Sequence, residues 1–160
     1  MRLIVIGAMA AVMGTSPLAA HPKVTSTKPV DRVSGPARGA AAAVDAFHAA
    51  LRRGDQNAAA ALLAEDAVIF ESGGVERTKA EYAASHLPAD AEFSRNVSSV
   101  VTHRIGASQG ASAWIASEGR TTGTYKGKAV DMLTAETMIL RRMREGWRIV
   151  HVHWSSAARH

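Results

Sequence analysis

The chain has 160 residues, 47% of them hydrophobic and 21% charged, the balance of a single globular domain with room for a core. Its net charge of +5 comes from 19 basic and 14 acidic residues, and the absence of cysteine excludes disulfides and thiolate chemistry. The densest basic cluster, Arg141, Arg142, Arg144 and Arg148, lacks the stacking aromatics that nucleic-acid binding uses, so no nucleic-acid partner is expected.

Residues 1–20 have the layout of a secretory leader. Met1-Arg2 is a positive start, Leu3 to Met13 an apolar run, and Ser16-Pro17-Leu18-Ala19-Ala20 a small-residue exit. The run is short for a transmembrane helix. This predicts a periplasmic or secreted protein, free of the membrane once the leader is cleaved. Residues 21–35, rich in Pro, Ser, Thr and Lys, read as a flexible linker, which gives the domain proper the span 36–157.

Ser34-Gly35-Pro36 opens a helix with Ala40, Val44, Phe47, His48 and Leu51 at helical spacing and Gly54 at its end. Asp55 restarts a second helix through Leu62 and Leu63, and Glu65-Asp66 turns it into a short strand, Ala67 to Glu71. After the Ser72-Gly73-Gly74 turn, Thr78-Lys79-Ala80-Glu81 has capping-box spacing and begins a third helix that ends near Ser85-His86. Pro88 to Phe93 reads as one more turn. From Ser94 the pattern is β: a strand to Ile105, a second led by Ala113 to Ala116, then a hairpin after Lys126-Gly127-Lys128 that turns at Arg144-Glu145-Gly146. Three helices, one early strand and four long antiparallel strands define an α+β fold, with helices packed on one face of a curved sheet.

Two stretches resemble a known superfamily. Arg53-Gly54-Asp55 followed by Leu62-Leu63-Ala64-Glu65-Asp66-Ala67-Val68, and the ending Gly146-Trp147-Arg148-Ile149-Val150-His151-Val152-His153-Trp154-Ser155, are similar to the start and last strand of nuclear transport factor 2-like (NTF2-like) domains. The similarity is greatest to their SnoaL-like and ketosteroid-isomerase-like bacterial branch and spans about residues 38 to 157. It implies a cystatin-like cone, a strongly bent sheet wrapping the helices around a cavity for a small, largely apolar organic molecule. It also implies a homodimer formed through the sheet's outer face.

The candidate chemistry centres on His151 and His153, which share a strand face with Trp147 and Ile149 because strand side chains alternate. By the resemblance that face looks into the cone. With Glu145-Gly146 as a two-residue loop, Leu140 faces His151, Met138 faces His153 and Glu136 faces Ser155, so Glu136 joins the histidines; one residue of slip would move it to the other face. Glu71 and His86 could close on the cavity from the helical side, with Tyr82 or Tyr125 offering a hydroxyl and Trp147 a wall. This group supports cofactor-independent acid/base catalysis by His151, His153 and Glu136 in a pocket with Glu71, Tyr82, His86 and Trp147. The runner-up reading is zinc or copper held by Glu71, His86, His151 and His153. The histidines could also be structural, in a non-catalytic dimeric interaction module. His48, on an apolar helix face, reads as a packed residue, and Glu118 and Arg120 as surface or cross-strand ion-pair residues.

Overall fold

The computed structural model describes residues 28–159, so the leader-like residues 1–20 lie outside the described part. Strand β1 (Val30–Val33) precedes a single 3-10 turn at Gly35–Ala37. Helices α1 (Arg38–Arg53) and α2 (Gln56–Ala61), strands β2 (Leu63–Glu71) and β3 (Gly74–Glu76), and helices α3 (Lys79–Ala84) and α4 (Leu87–Asn96) follow. Four long strands complete the chain: β4 (Val97–Gln109), β5 (Ser112–Tyr125), β6 (Lys128–Met143) and β7 (Gly146–Ala158). All seven strands form one strongly curved, unclosed sheet in the order β1-β4-β5-β6-β7-β2-β3, parallel at β1–β4 and β2–β7 and antiparallel elsewhere.

Local chemistry explains the breaks between helices. Gly54 ends α1 in the left-handed region (φ 70°), where a side chain would be strained, and the Asp55 carboxylate accepts the Ala58 N–H at 3.0 Å to start α2. Thr78 caps α3 by accepting the Glu81 N–H at 3.1 Å. The Glu81 carboxylate accepts from the Arg77 N–H, one residue earlier than a capping box requires. Pro88 sits in the first turn of α4, where its missing N–H removes no helical bond, so it begins a ten-residue helix instead of only ending α3. The described residues accordingly hold four α-helices and not three.

The expected linker is also corrected at its end. Val30–Val33 pair in register with His103–Gly106 of β4, and Asp31 accepts the Val33 N–H at 3.0 Å. The turn expected at Glu65-Asp66 lies inside β2.

The core lies between α1 and the concave face of the sheet. Ala40, Val44, Phe47 and Leu51 form the buried stripe of α1, and the sheet answers with Ile69, Ile115, Met138, Leu140, Ile149 and Val152. Helix spacing and strand alternation put these side chains on facing surfaces.

The last hairpin carries the main departure from expectation. Its turn is Arg144-Glu145, with Met143 opposite Gly146 and Leu140 opposite Ile149. Ile139 then lies opposite His151, which leaves Val150 as an unpaired extra residue. Such a β-bulge reverses the alternation beyond it. Val152 and Trp154 therefore turn to the concave side, while His151 and His153 go to the outer face. Glu136 faces Trp154, not Ser155.

Candidate active site

The register builds the site row by row across the concave face. In the lowest row Gly106, Ile115, Met138, Val152 and Ile69 are cross-strand neighbours and all are buried. In the next row toward the open end, the same five strands present Arg104, Ser117, Glu136, Trp154 and Glu71. Beyond the Thr102 bulge in β4 come Val101, Gly119, Thr134 and Ser156, which are small or branched short. An apolar row, a polar row and a row of small residues leave a cavity of about 260 Å³ above the polar belt, which forms its floor. At Gly119 the space is closed even to a methyl group, because a Cβ would lie 2.8 Å from the Val100 carbonyl oxygen. Helices α1 and α4 supply the remaining walls with His48 and Asp45, and with Asp90 and Phe93.

At the centre of the floor, the Glu136 carboxylate accepts the Trp154 Nε1–H at 2.7 Å and lies 2.7 Å from His48 Nε2. Burial alone would raise its pKa, but the His48 ring and the indole donor outweigh burial and hold Glu136 below the usual carboxylate range. Trp154 is itself fixed by stacking on Phe47, with ring centroids 6.2 Å apart. At one end of the belt Arg104 donates to Asp45 at 2.7 Å and to Ser117 Oγ at 3.3 Å.

At the other end Glu71 stands beside Asp90. Both carboxyl pKa values are raised, first by burial; the negative charge of Asp90 adds to the effect at Glu71. The buried Tyr82 hydroxyl donates to Asp90 at 2.7 Å, and burial together with Asp90 drives the phenol pKa far upward, so it remains a donor. Just outside, His86 is bonded to buried Glu76; that bond and the Glu76 charge raise the His86 pKa, and its positive charge opposes the rise at Glu71 and Asp90.

The sequence-predicted residues are thus divided. Glu136 and Glu71 line the cavity, and Tyr82 supports it from behind through Asp90. His86 lies outside the lining. Trp147 packs at the start of α1, where its Nε1 would be 2.9 Å from a Cβ on Gly39, and Arg142 lies over its ring. His151 and His153 are on the outer face near Phe70, with His151 Nδ1 3.0 Å from the Val68 carbonyl oxygen. Neither can act in the cone. The expected quartet of Glu71, His86, His151 and His153 is split across the sheet, and among the described residues no group of three or more His, Asp or Glu is placed to hold a metal ion.

His48 is the imidazole that the sequence reading missed. Its signal was available: it lies three residues after Asp45 and four before Arg52, a polar strip along one side of an otherwise apolar helix. Glu118 and Arg120 each take a cross-strand partner, Glu118 lying near His103 of β4 and Arg120 bonded twice to Asp131 of β6.

Comparison with known proteins agrees with the geometry. The family model for the SnoaL-like domain matches residues 40–159. A provisionally named ketosteroid isomerase from Shewanella frigidimarina is 35% identical, with 77% of this chain and 99% of that chain covered at a TM-score of 0.72. A provisionally named calcium/calmodulin-dependent protein kinase II association domain from Xanthomonas campestris is 26% identical over 78% of this chain and 89% of that one, at 0.65. An NTF2-like protein with a cystatin-like fold from Novosphingobium aromaticivorans shares the fold at 16% identity, with 73% and 79% covered and a TM-score of 0.62. No curated protein matches the sequence.

Proposed function

The chain belongs to the SnoaL-like domain family, and from that premise we propose that its cone binds a small organic carbonyl compound and moves protons on it without a cofactor. The observation that carries this reading is the His48–Glu136–Trp154 arrangement on the cavity floor. Glu136, ionised and held by the indole, accepts a hydrogen bond from the His48 Nε2–H, which leaves Nδ1 as the basic nitrogen. That nitrogen removes a proton from the carbon next to the ligand's carbonyl. Glu71 and Asp90 keep their protons to higher pH than ordinary carboxyls, so one of them supplies a proton to the developing enolate oxygen or to a second carbon. The proton held by His48 then passes to a second carbon as the carboxyl recovers the enolate-oxygen proton, which completes an isomerisation and restores both groups. Phe93, Val101, Met132 and Trp154 provide the apolar wall for the ligand's body.

The reading includes export to the periplasm or medium, supported by the leader-like pattern of residues 1–20. It also includes a homodimer. Phe70, Val75, Val100, Ile105, Trp114, Leu133 and Ile139 are exposed large hydrophobics, and their register puts them on the outer face of the sheet. Two of the ion pairs on that face, Asp66 with Arg141 and Arg120 with Asp131, are closed within the chain.

Titration of tryptophan fluorescence with a panel of small cyclic and aryl-alkyl ketones tests the binding step. Saturable quenching in the wild type, abolished in Thr134→Phe, which fills the space above the floor, is expected. A panel without effect on the wild type would remove the cavity from the account.

A further inference from the structure

We infer that Glu71 carries the working proton at the acidic end of the cavity, and that Tyr82 is the positioning residue that puts it there. The inference rests on the proton-transfer reading above, which leaves the choice between Glu71 and Asp90 open.

Three elements bring these groups together. Glu71 ends β2, Asp90 lies in the first turn of α4, and both line the cavity. Tyr82 of α3 is fully buried, its ring against Trp154 at a centroid distance of 6.4 Å. Its hydroxyl is thereby aimed at Asp90 Oδ2, to which it donates at 2.7 Å. Among the described residues no donor is bonded to the Glu71 carboxyl.

Two neighbouring carboxylates repel, so the pair keeps one proton over a range of pH. Where it sits depends on what differs between the two. A donated hydrogen bond stabilises the charged form of its acceptor, and only Asp90 receives one. Aspartate is also the stronger acid before any environment acts. Burial raises both pKa values; the Tyr82 bond opposes the rise at Asp90, and the Asp90 charge adds to it at Glu71. The charges nearby do not discriminate: Glu76 of β3 raises both, and His86, between α3 and α4, opposes both. On the other walls His48 is closed on Glu136 and Asp45 on Arg104. Arg52 of α1 also lines the cavity and donates to neither carboxyl.

Asp90 is therefore the resident anion and Glu71 the acid. As His48 Nδ1 takes the proton from the carbon beside the carbonyl, the C–H electron pair shifts toward oxygen and Glu71 protonates that oxygen. The enol then returns its proton to Glu71 while the His48 proton reaches the second carbon, so both groups are restored. Asp90 stays ionised throughout.

Carbon-13 NMR of the ligand-free protein, labelled at the Glu and Asp side-chain carboxyls, tests this, with Glu71→Gln and Asp90→Asn assigning the two signals. The pair titrates in two steps, and the step at higher pH is expected at the Glu71 carbon. In Tyr82→Phe a large part of that step should move to the Asp90 carbon, because the bond that favoured ionised Asp90 is gone. In Asp90→Asn, which keeps an acceptor for Tyr82, the Glu71 step should move to lower pH; this variant serves if Tyr82→Phe folds poorly. A higher step at Asp90 in the wild type, an unchanged distribution in Tyr82→Phe, or an unmoved Glu71 step in Asp90→Asn overturns the assignment. None of these readouts needs a ligand. A ketone panel without effect would remove the cavity reading and leave the order of protonation standing, whereas a higher step at Asp90 removes the order and leaves ketone binding intact.

Discussion

At Glu136 the penalty for burying a carboxylate is offset by two directed partners, an indole N–H and an imidazole, and this decides what the residue does. Its folded pKa lies below its unfolded value, so its stabilising contribution is complete above the ordinary glutamate range near 4.5 and is lost as pH falls through the lower folded value. Glu136→Gln should therefore unfold at a lower temperature than the wild type at pH 7, with the gap closing in acid. Glu136→Ala, which strands the Trp154 N–H, should lose about 1–3 kcal/mol in denaturant titration. Asp90 has the opposite sign. Its pKa is raised, so its contribution is fully favourable below the unfolded value and is lost as pH rises through the folded one. Asp90→Asn, able to keep the Tyr82 bond, should raise the melting temperature at pH 8 relative to the wild type and do little at pH 4. A melting temperature equal to the wild type's at pH 8 would mean that Asp90 carries no buried charge there.

Single elements show why some of this was legible in the chain and some was not. Gly54, Asp55 and Thr78 are local signals: each satisfies a helix end using its own neighbours, and each acts in the structure as its residue type requires. Thr78→Ala should cost about 1 kcal/mol in the same denaturant assay. The Val150 bulge is a different kind of fact. Nothing in Trp147 to Ser155 marks it, because both faces of that strand carry large apolar residues and either alternation would read as buried. The choice is made by partners, since Val152 and Trp154 fit the core row and the Glu136 row respectively. Deleting Val150 removes the extra residue and leaves a plain ladder in which Val152 and Trp154 keep the concave face and His151 and His153 the outer one. We expect the deletion variant to unfold cooperatively and to keep the faces of this strand. Loss of cooperative unfolding in that variant would contradict this account of the bulge. The strand β1 was illegible for a related reason: four residues of mixed polarity become a strand only because the β4 edge is there to pair with.

On the scale of the whole molecule, one sheet serves two surfaces. Its concave side changes from core to polar belt to open space within three rows, and its outer side carries exposed apolar residues and ion pairs with two histidines among them. The fold class and the family resemblance were readable because they depend on the order and period of long elements, which a sequence carries directly. The site was not, because it depends on which of two faces each strand residue takes after a bulge, and on a helix residue, His48, whose partner lies 88 positions away. The consequence is a specific assignment, with the working imidazole on α1 within the cone and the His-x-His pair outside it.

The most direct test is solvent deuterium incorporation at the carbon next to the carbonyl of a ketone that the wild type binds, followed by NMR for the wild type, His48→Gln and His153→Gln. A wild type that catalyses exchange, a His48→Gln variant slower by about 10²-fold or more and a His153→Gln variant unchanged are the predicted results. Exchange that survives the loss of His48, or disappears with His153, would contradict the assignment.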